Sequence, residues 1–302
     1  MDVKVLVSDF MRHAPYSYRP IVDREPIRWP GGARVAFYVG LNIEHFHLGL
    51  PSTSIYPGTR DLVPDPLNHG WRDYGTRVGF WRLLETLDRH KVRASVLLNS
   101  DVCDRYPQIG EAGAARNWAW LAHGKSNSEL QTGLSPDEER ARLSEIVEVI
   151  AKATRKRPIG WLGPALSETF HVPALLAELG LRYVLDWCAD DQPFELDVPG
   201  MLSVPYSVEL NDVLLFVGRN LSGPDFVRIV EDQLEQLYED SAESGRVMAL
   251  CLHPFVIGQP FRNKYLDLAL ERVVSHPGVW VTTSDEIAEH HLREQGLSTT
   301  ER

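Results

Sequence analysis

Two kinds of hydrophobic pattern alternate along the chain. Short, nearly unbroken apolar runs occur at residues 33–43 (ARVAFYVGLNI), 92–100 (VRASVLLNS), 117–124 (NWAWLAHG), 159–166 (IGWLGPAL), 181–188 (LRYVLDWC), 201–207 (MLSVPYS), 246–255 (RVMALCLHPF) and 279–283 (VWVTT). Runs of this kind, with no regularly polar face, predict strands buried on both sides. Between them the apolar positions fall three and four apart, the helical spacing. Val78, Trp81, Leu84 and Leu87 predict a helix over 74–91, and Leu143, Ile146, Val147 and Ile150 another. That second helix starts at Ser135, where Pro136 suits the first turn and Glu138 completes a capping box. Further helices are predicted over 171–179, 224–244, 264–274 and after residue 283. The thirty or so residues after the first strand, rich in Pro, Gly and Asp, read as a long loop.

Repeated strand-then-helix order implies a parallel sheet covered by helices. About seven such units favour closure, so the expected fold is α/β: a distorted (β/α)7 TIM-like barrel in a single domain. Residues 1–30 are expected to form a lead-in packed on the barrel, 31–296 the barrel itself, and 297–302 a disordered tail.

Composition narrows the partners. The chain has 302 residues, 43% of them hydrophobic, and a formal net charge of −11. Its longest basic cluster is TRKRP at 154–158, so neither nucleic acid nor an anionic membrane surface is expected as a partner. No run reaches the roughly 18 apolar residues of a membrane span. The opening stretch MDVKVLVSDFMRHAP lacks the apolar core of an export signal, and a cytoplasmic location is expected. Cys103, Cys188 and Cys251 are widely spaced and read as reduced, non-catalytic thiols.

In a barrel of this kind chemistry sits at the C-terminal ends of the strands. Polar residues there are Asn42, Glu44 and His45 after the first strand, Asn99 and Asp101 after the second, and His123 and Asn127 (in HGKSNSE) after the third. Trp161 and Ser167 follow the fourth, Asp186 the fifth and His253 the seventh. Glu44 is a candidate general base towards water, or a rim carboxylate paired with an arginine. His253 suits a general acid, imidazole being matched to that task, or a structural loop residue. His123 and Asn127 can donate hydrogen bonds to a carbonyl oxygen. Alternatively His45 and His123 bind a metal with Asn127 as a poor third ligand, or Ser126 and Asn127 are plain turn residues. Asp186 either orients a histidine, binds substrate or is structural, and Arg262 binds an anionic group or pairs with a surface acid. Gly258 and Pro260 would shape a loop against substrate. Trp71, Trp161, Trp187 and Phe255 are either pocket walls or core.

These segments, in this order, resemble the polysaccharide deacetylase (NodB-homology) superfamily, carbohydrate esterase family four, and more closely its allantoinase-like branch. The resemblance runs from about Arg19 to about Arg293. It rests on WPGGARVAFYVGLNIEHF, DYGTRVGFWRLLETLDRHKVRASVLLNS, HGKSNSE, GWLGP, LRYVLDW and LHPFVIGQPFR. It implies a distorted barrel of about seven βα units, in agreement with the pattern. Where the deacetylases carry adjacent aspartates, base and metal ligand, this chain has Glu44 and His45. Their two metal histidines, four apart, correspond to His123 and Asn127. An arginine that supports the base is replaced within Trp161-Leu162-Gly163-Pro164, while the general-acid histidine is kept as His253.

The resemblance therefore implies a metal site converted to a metal-free one, with no cofactor. The expected enzyme is a hydrolase of non-peptide C–N bonds in a small cyclic or linear amide, imide or ureide. Glu44 would activate water, His253 protonate the leaving nitrogen, and His123 and Asn127 supply the donors. His45, Trp161, Asp186 and Arg262 are expected to bind the small-molecule substrate. One alternative is a metal-dependent deacetylase of an N-acetylated sugar or small molecule, with a divalent ion on His45 and His123. The other is an inactive ligand-binding barrel. The resemblance also implies a homo-oligomer, a dimer or tetramer.

Overall fold

Nine consecutive residues, Val35–Ile43, are all buried and form β1, the central strand. The computed structural model describes residues 14–130 and 132–296; the expected tail at 297–302 and the first thirteen residues of the lead-in lie outside the described residues. The other strands are β2 (Ala94–Leu98), β3 (Ala119–Ala122), β4 (Gly160–Trp161), β5 (Tyr183–Val184), β6 (Phe194–Glu195), β7 (Leu202–Ser203), β8 (Arg246–Leu252) and β9 (Val279–Val281). They build one sheet in the order β6-β7-β5-β4-β3-β2-β1-β8, with β9 also paired to β1. Every pairing is parallel except the β6–β7 hairpin.

The sheet curls into an incomplete barrel. On the far side β8 meets the chain that follows β7 at an isolated parallel bridge between Asn211 and Cys251, and the Val247 N–H donates to the Asp191 carbonyl at 2.8 Å. The apolar runs after β3 are much longer than the strands they form. Gly163 and Pro164 after β4 and Pro205 after β7 break the ladder early, and β4, β5 and β7 are two residues each.

Strand alternation divides the side chains into two cores. Val35, Phe37, Val39, Leu41 and Ile43 pack outward with Val96, Trp120 and the helices. Ala36 and Tyr38 point inward with Leu97, Leu121, Leu162, Tyr183, Leu202 and Cys251. The inward parity continues past the strand ends, and it is what delivers Glu44, Asn99, His123 and His253 to one mouth.

The helices are α1 (Pro66–Tyr74), α2 (Phe80–Arg89), α3 (Ser100–Arg105), α4 (Pro107–Ala114), α5 (Pro136–Thr154), α6 (Val172–Glu178), α7 (Gly223–Asp240), α8 (Pro260–Val274) and α9 (Ser284–Glu294). The capping box at Ser135 and Glu138 is present, and a second, Ser222 with Asp225, starts α7. At the barrel's other end α9 closes the floor: Tyr183 donates to Asp285 at 2.8 Å, and the Ser284 N–H donates to the Ser95 hydroxyl at 2.8 Å. None of the described helices is long and apolar enough to cross a membrane.

Three local expectations are corrected. The long loop contains α1, whose N-terminus is capped by the Asp65 carboxylate with Pro66 in the first turn. The helix expected over 74–91 is interrupted by a π-helical turn at Gly75–Gly79. That turn shifts the buried face by a residue: Phe80, Leu83, Leu84 and Leu87 are buried, while Val78 and Trp81 are each 39% exposed. Pro260, expected in a loop, is the first residue of α8.

Candidate active site

Glu44 leaves the end of β1 with its carboxylate 5% exposed. One oxygen, Oε1, receives the Asn127 amide N–H and lies 3.4 Å from His123 Nε2 and 3.7 Å from His253 Nε2. Two segments far apart in sequence, 123–127 and 253, thus converge on one carboxylate oxygen at the end of β1. The second nitrogen of each histidine is also committed. His123 Nδ1 is 2.7 Å from the Leu162 carbonyl, an acceptor, so it carries the proton. His253 Nδ1 lies 2.7 Å from Asp212 Oδ1, and Asp212 also accepts the backbone N–H groups of His253 and Ile257.

Asp212 is fully buried. Burial by itself lowers the His253 pKa, but the carboxylates of Asp212 and Glu44 outweigh it and hold the imidazolium above the ordinary histidine range. A histidine so poised holds its proton more tightly than a free imidazole and can deliver it to a leaving group.

Asn99, at the end of β2, ties the convergence together. Its Oδ1 accepts the His45 N–H at 2.8 Å, and its Nδ2 donates to the His123 carbonyl and, at 3.0 Å, to Asn127 Oδ1. The last contact fixes the Asn127 amide so that its NH2 faces Glu44. Asn127 therefore orients the carboxylate in this structure, where an oxyanion donor was expected. Its own N–H donates to the His45 carbonyl at 3.0 Å.

His45 points the other way. Its Nδ1 is 3.2 Å from the Tyr106 hydroxyl, in a cleft of about 520 Å³ walled by Phe46, His47, His69, Arg105 and Tyr106. Burial, reinforced by Arg105, pushes its pKa down to about 4, which favours the neutral imidazole that a metal ligand requires. His47 Nε2 lies 3.3 Å from Asp101 Oδ2. Ligand atoms of His45, His47 and Asp101 all fall within 4.8 Å of one another.

An ion about 2.0–2.2 Å from each nitrogen and oxygen needs donors roughly 3–4 Å apart. The His47–Asp101 pair already meets that spacing, and two histidines with a carboxylate are a donor set suited to a divalent first-row metal. These residues fit such an ion. The expectation of a metal-free site is thereby overturned. The expected ligand pair is corrected as well: His45 clusters with His47 and Asp101, while His123 is spent on Leu162 and Glu44. The local signal for His47 was its place two residues after His45, since extended backbone puts alternate side chains on one face. Asp212 carried no local signal, being 41 residues from its partner.

The expected substrate residues are dispersed. Trp161 is fully buried on the outward, helix-facing side of β4, so it belongs to the core and not to the mouth. Asp186 accepts the Gly163 N–H at 2.7 Å. Because the preceding carbonyl, Leu162, holds His123, Asp186 acts on that histidine through the backbone. Burial pushes the carboxyls of Asp186 and Glu168 up, Glu168 further raised by the charge of Asp186. Arg262 sits behind the acid: its guanidinium stacks 4.9 Å from the Phe216 ring and donates to the Val256 carbonyl. Burial raises all three thiols, Cys188 to about 11 and Cys103 to about 12, so none is an activated nucleophile. The larger cleft, about 890 Å³ between residues 16–27 and 188–197, contains none of the expected site residues.

A curled parallel sheet presenting a buried carboxylate, a carboxylate-backed histidine and a His–His–Asp cluster at its C-terminal rim defines a hydrolytic barrel enzyme. Residues 72–184 match the family model described as polysaccharide deacetylase. A Schizosaccharomyces pombe protein named "Putative polysaccharide deacetylase" is 26% identical over 89% of this chain and 92% of its own length. A crystal structure of a probable polysaccharide deacetylase from Pseudomonas aeruginosa PAO1 superimposes with a TM-score of 0.81 at 25% identity, over 91% of this chain and 97% of that one. One of Puue allantoinase superimposes with a TM-score of 0.82 at 25% identity, over 94% and 100%.

The chain is thus similar over most of its length to proteins of the polysaccharide deacetylase (NodB-homology) superfamily, with the family's signature at residues 72–184. That similarity marks it as a hydrolase acting on non-peptide carbon–nitrogen or carbon–oxygen bonds.

Proposed function

We propose that the chain is a metal-dependent deacetylase of an N-acetylated sugar or related small molecule. The observation that carries this reading is the His45–His47–Asp101 cluster, whose His45 follows Glu44 in the chain, together with the Glu44 and His253 pair. Those three residues would hold a divalent ion, whose chemistry is Lewis-acid polarisation of an acyl oxygen.

The remaining work falls to side chains. Glu44 takes a proton from water as the water oxygen bonds to the acyl carbon. His253 gives its proton to the amide nitrogen as the C–N bond breaks, releasing acetate and an amine. Asp212 keeps His253 in the tautomer that presents Nε2. Asn127 and Asn99 hold the Glu44 carboxylate in place.

The likeness to an allantoinase supports a place near that branch by descent; the proposed chemistry does not follow from it. The test is metal content by plasma mass spectrometry on protein prepared without chelator or metal-binding tag, followed by acetate release from N-acetylated substrates with and without added zinc. About one equivalent of metal, and acetate release that chelation abolishes, supports the reading. Less than about a tenth of an equivalent, with no uptake on reconstitution, overturns it.

A further inference from the structure

Arg72, on α1, is 4% exposed and walls the barrel mouth. Its guanidinium carbon lies 4.9 Å from the centroid of the Phe46 ring. One terminal nitrogen donates to the Thr53 carbonyl at 2.7 Å, while Nε is buried with no partner. The carboxylates that act on it, Asp65 and Glu44, do so through space and not by a hydrogen bond. A buried cation with an idle donor is costly unless something occupies it.

The space in front of it is defined. Asn42, Glu44, Arg72, Thr76 and Phe255 line a cavity of about 10 Å³, room for roughly one oxygen atom. The Phe255 ring in turn lies 5.5 Å from the His253 ring. Phe46, whose ring the Arg72 guanidinium faces, is itself a wall of the cleft beside His45. Arg72 thus shares a cavity with Glu44 on one side and contacts, in Phe46, a wall of the cleft on the other. The Phe46 ring and the bond to the Thr53 carbonyl hold the guanidinium in place, and a positioned donor fork favours a carboxylate over a hydroxyl.

We propose that Arg72 is a specificity-determining residue that binds a carboxylate of the substrate, so that the compound deacetylated is a small N-acyl acid, such as an N-acyl amino acid, in preference to a neutral sugar chain. This rests on the deacetylase reading above.

The test uses two probes alike but for charge, N-acetylglycine and N-acetylglycinamide, titrated against the full chain by intrinsic fluorescence. Trp71, adjacent to Arg72 and 4.9 Å from the Phe255 ring, reports on the site. The acid is expected to bind about tenfold or more tightly than the amide, the scale of a charge-assisted hydrogen bond. Arg72→Met should abolish that preference and Arg72→Lys keep part of it, with circular dichroism confirming that each variant folds. Equal affinity for the two probes, no saturable binding of N-acetylglycine, or a preference that survives Arg72→Met would each overturn the assignment. Acetate release is read separately on the metal-loaded protein. Release without preference for the acid sinks the Arg72 assignment alone. Acid preference with no release from any N-acetyl compound sinks the deacetylase reading and leaves the carboxylate site standing.

Discussion

Asp212 accepts hydrogen bonds from both the backbone N–H and the Nδ1 of His253, at 2.8 Å and 2.7 Å. One fully buried carboxylate therefore sets the position, tautomer and charge of the histidine whose Nε2 faces Glu44. His253 is held above the ordinary histidine pKa by this arrangement against the opposing effect of burial.

Asp212→Asn removes the charge and keeps the shape. The alkaline limb of the kcat/KM profile should move to lower pH, and kcat should fall by about 10²–10⁴, the range for loss of general acid–base help. A pH–rate series on both proteins reads this; an unmoved alkaline limb would separate Asp212 from the proton donor.

Stability follows the same linkage. A histidine whose folded pKa is raised contributes stability that is fully present below about pH 6.5, the unfolded value, and is lost as pH rises through the folded one. Urea unfolding between pH 5 and 9 should show that loss in the parent and a flatter profile in Asp212→Asn.

The buried Asn99 amide makes three hydrogen bonds, one each with His45, His123 and Asn127. Asn99→Ala leaves the His45 N–H and the Asn127 amide oxygen without that partner. Each orphaned buried group costs about 1–3 kcal/mol. The expected result is a lower urea midpoint together with a loss of activity, because Asn127 is freed to rotate away from Glu44.

His47→Ala and Asp101→Asn should each lower metal occupancy at least tenfold, read by equilibrium dialysis against zinc, while His123→Ala should leave occupancy within a few-fold of the parent. Equal losses in all three variants would move the ion to the Glu44–His123 side of the mouth.

Gly79 is a packing prediction. A Cβ there would stand 2.0 Å from the Pro254 carbonyl oxygen, with no flexible atom to give way. Gly79→Ala should cost about 1–3 kcal/mol, the scale of an overpacked contact. It should also lower kcat by displacing the residue next to His253. A thermal shift without any kinetic effect would show that the 253–258 turn moves independently of its first residue.

Much of this architecture is legible in periodicity. The buried parallel strands, the capping box at Ser135 and the polar residues at strand ends all depend on neighbours within a few positions, and they appear where the pattern puts them. Boundaries fail where a second segment decides them. The π turn at Gly75–Gly79 exists where α1 and α2 must pass the 254–258 turn closely, with Gly75 and Gly79 both against it. The shortness of β4 and β5 likewise reflects how far the curled sheet continues to pair.

The candidate site divides along the same line. By itself the sequence determined which strand ends carry acid, amide and imidazole, because alternation along a strand is local and Glu44, Asn99, His123 and His253 follow directly from it. Only the tertiary structure decided what each of these groups faces. Asp212 reaches His253 from 41 residues away, His45 turns to His47 and Asp101 in place of His123, and Trp161 is sent outward into the core. Partner choice depends on side-chain direction and on contacts between segments remote in the chain, and hydrophobic period encodes neither.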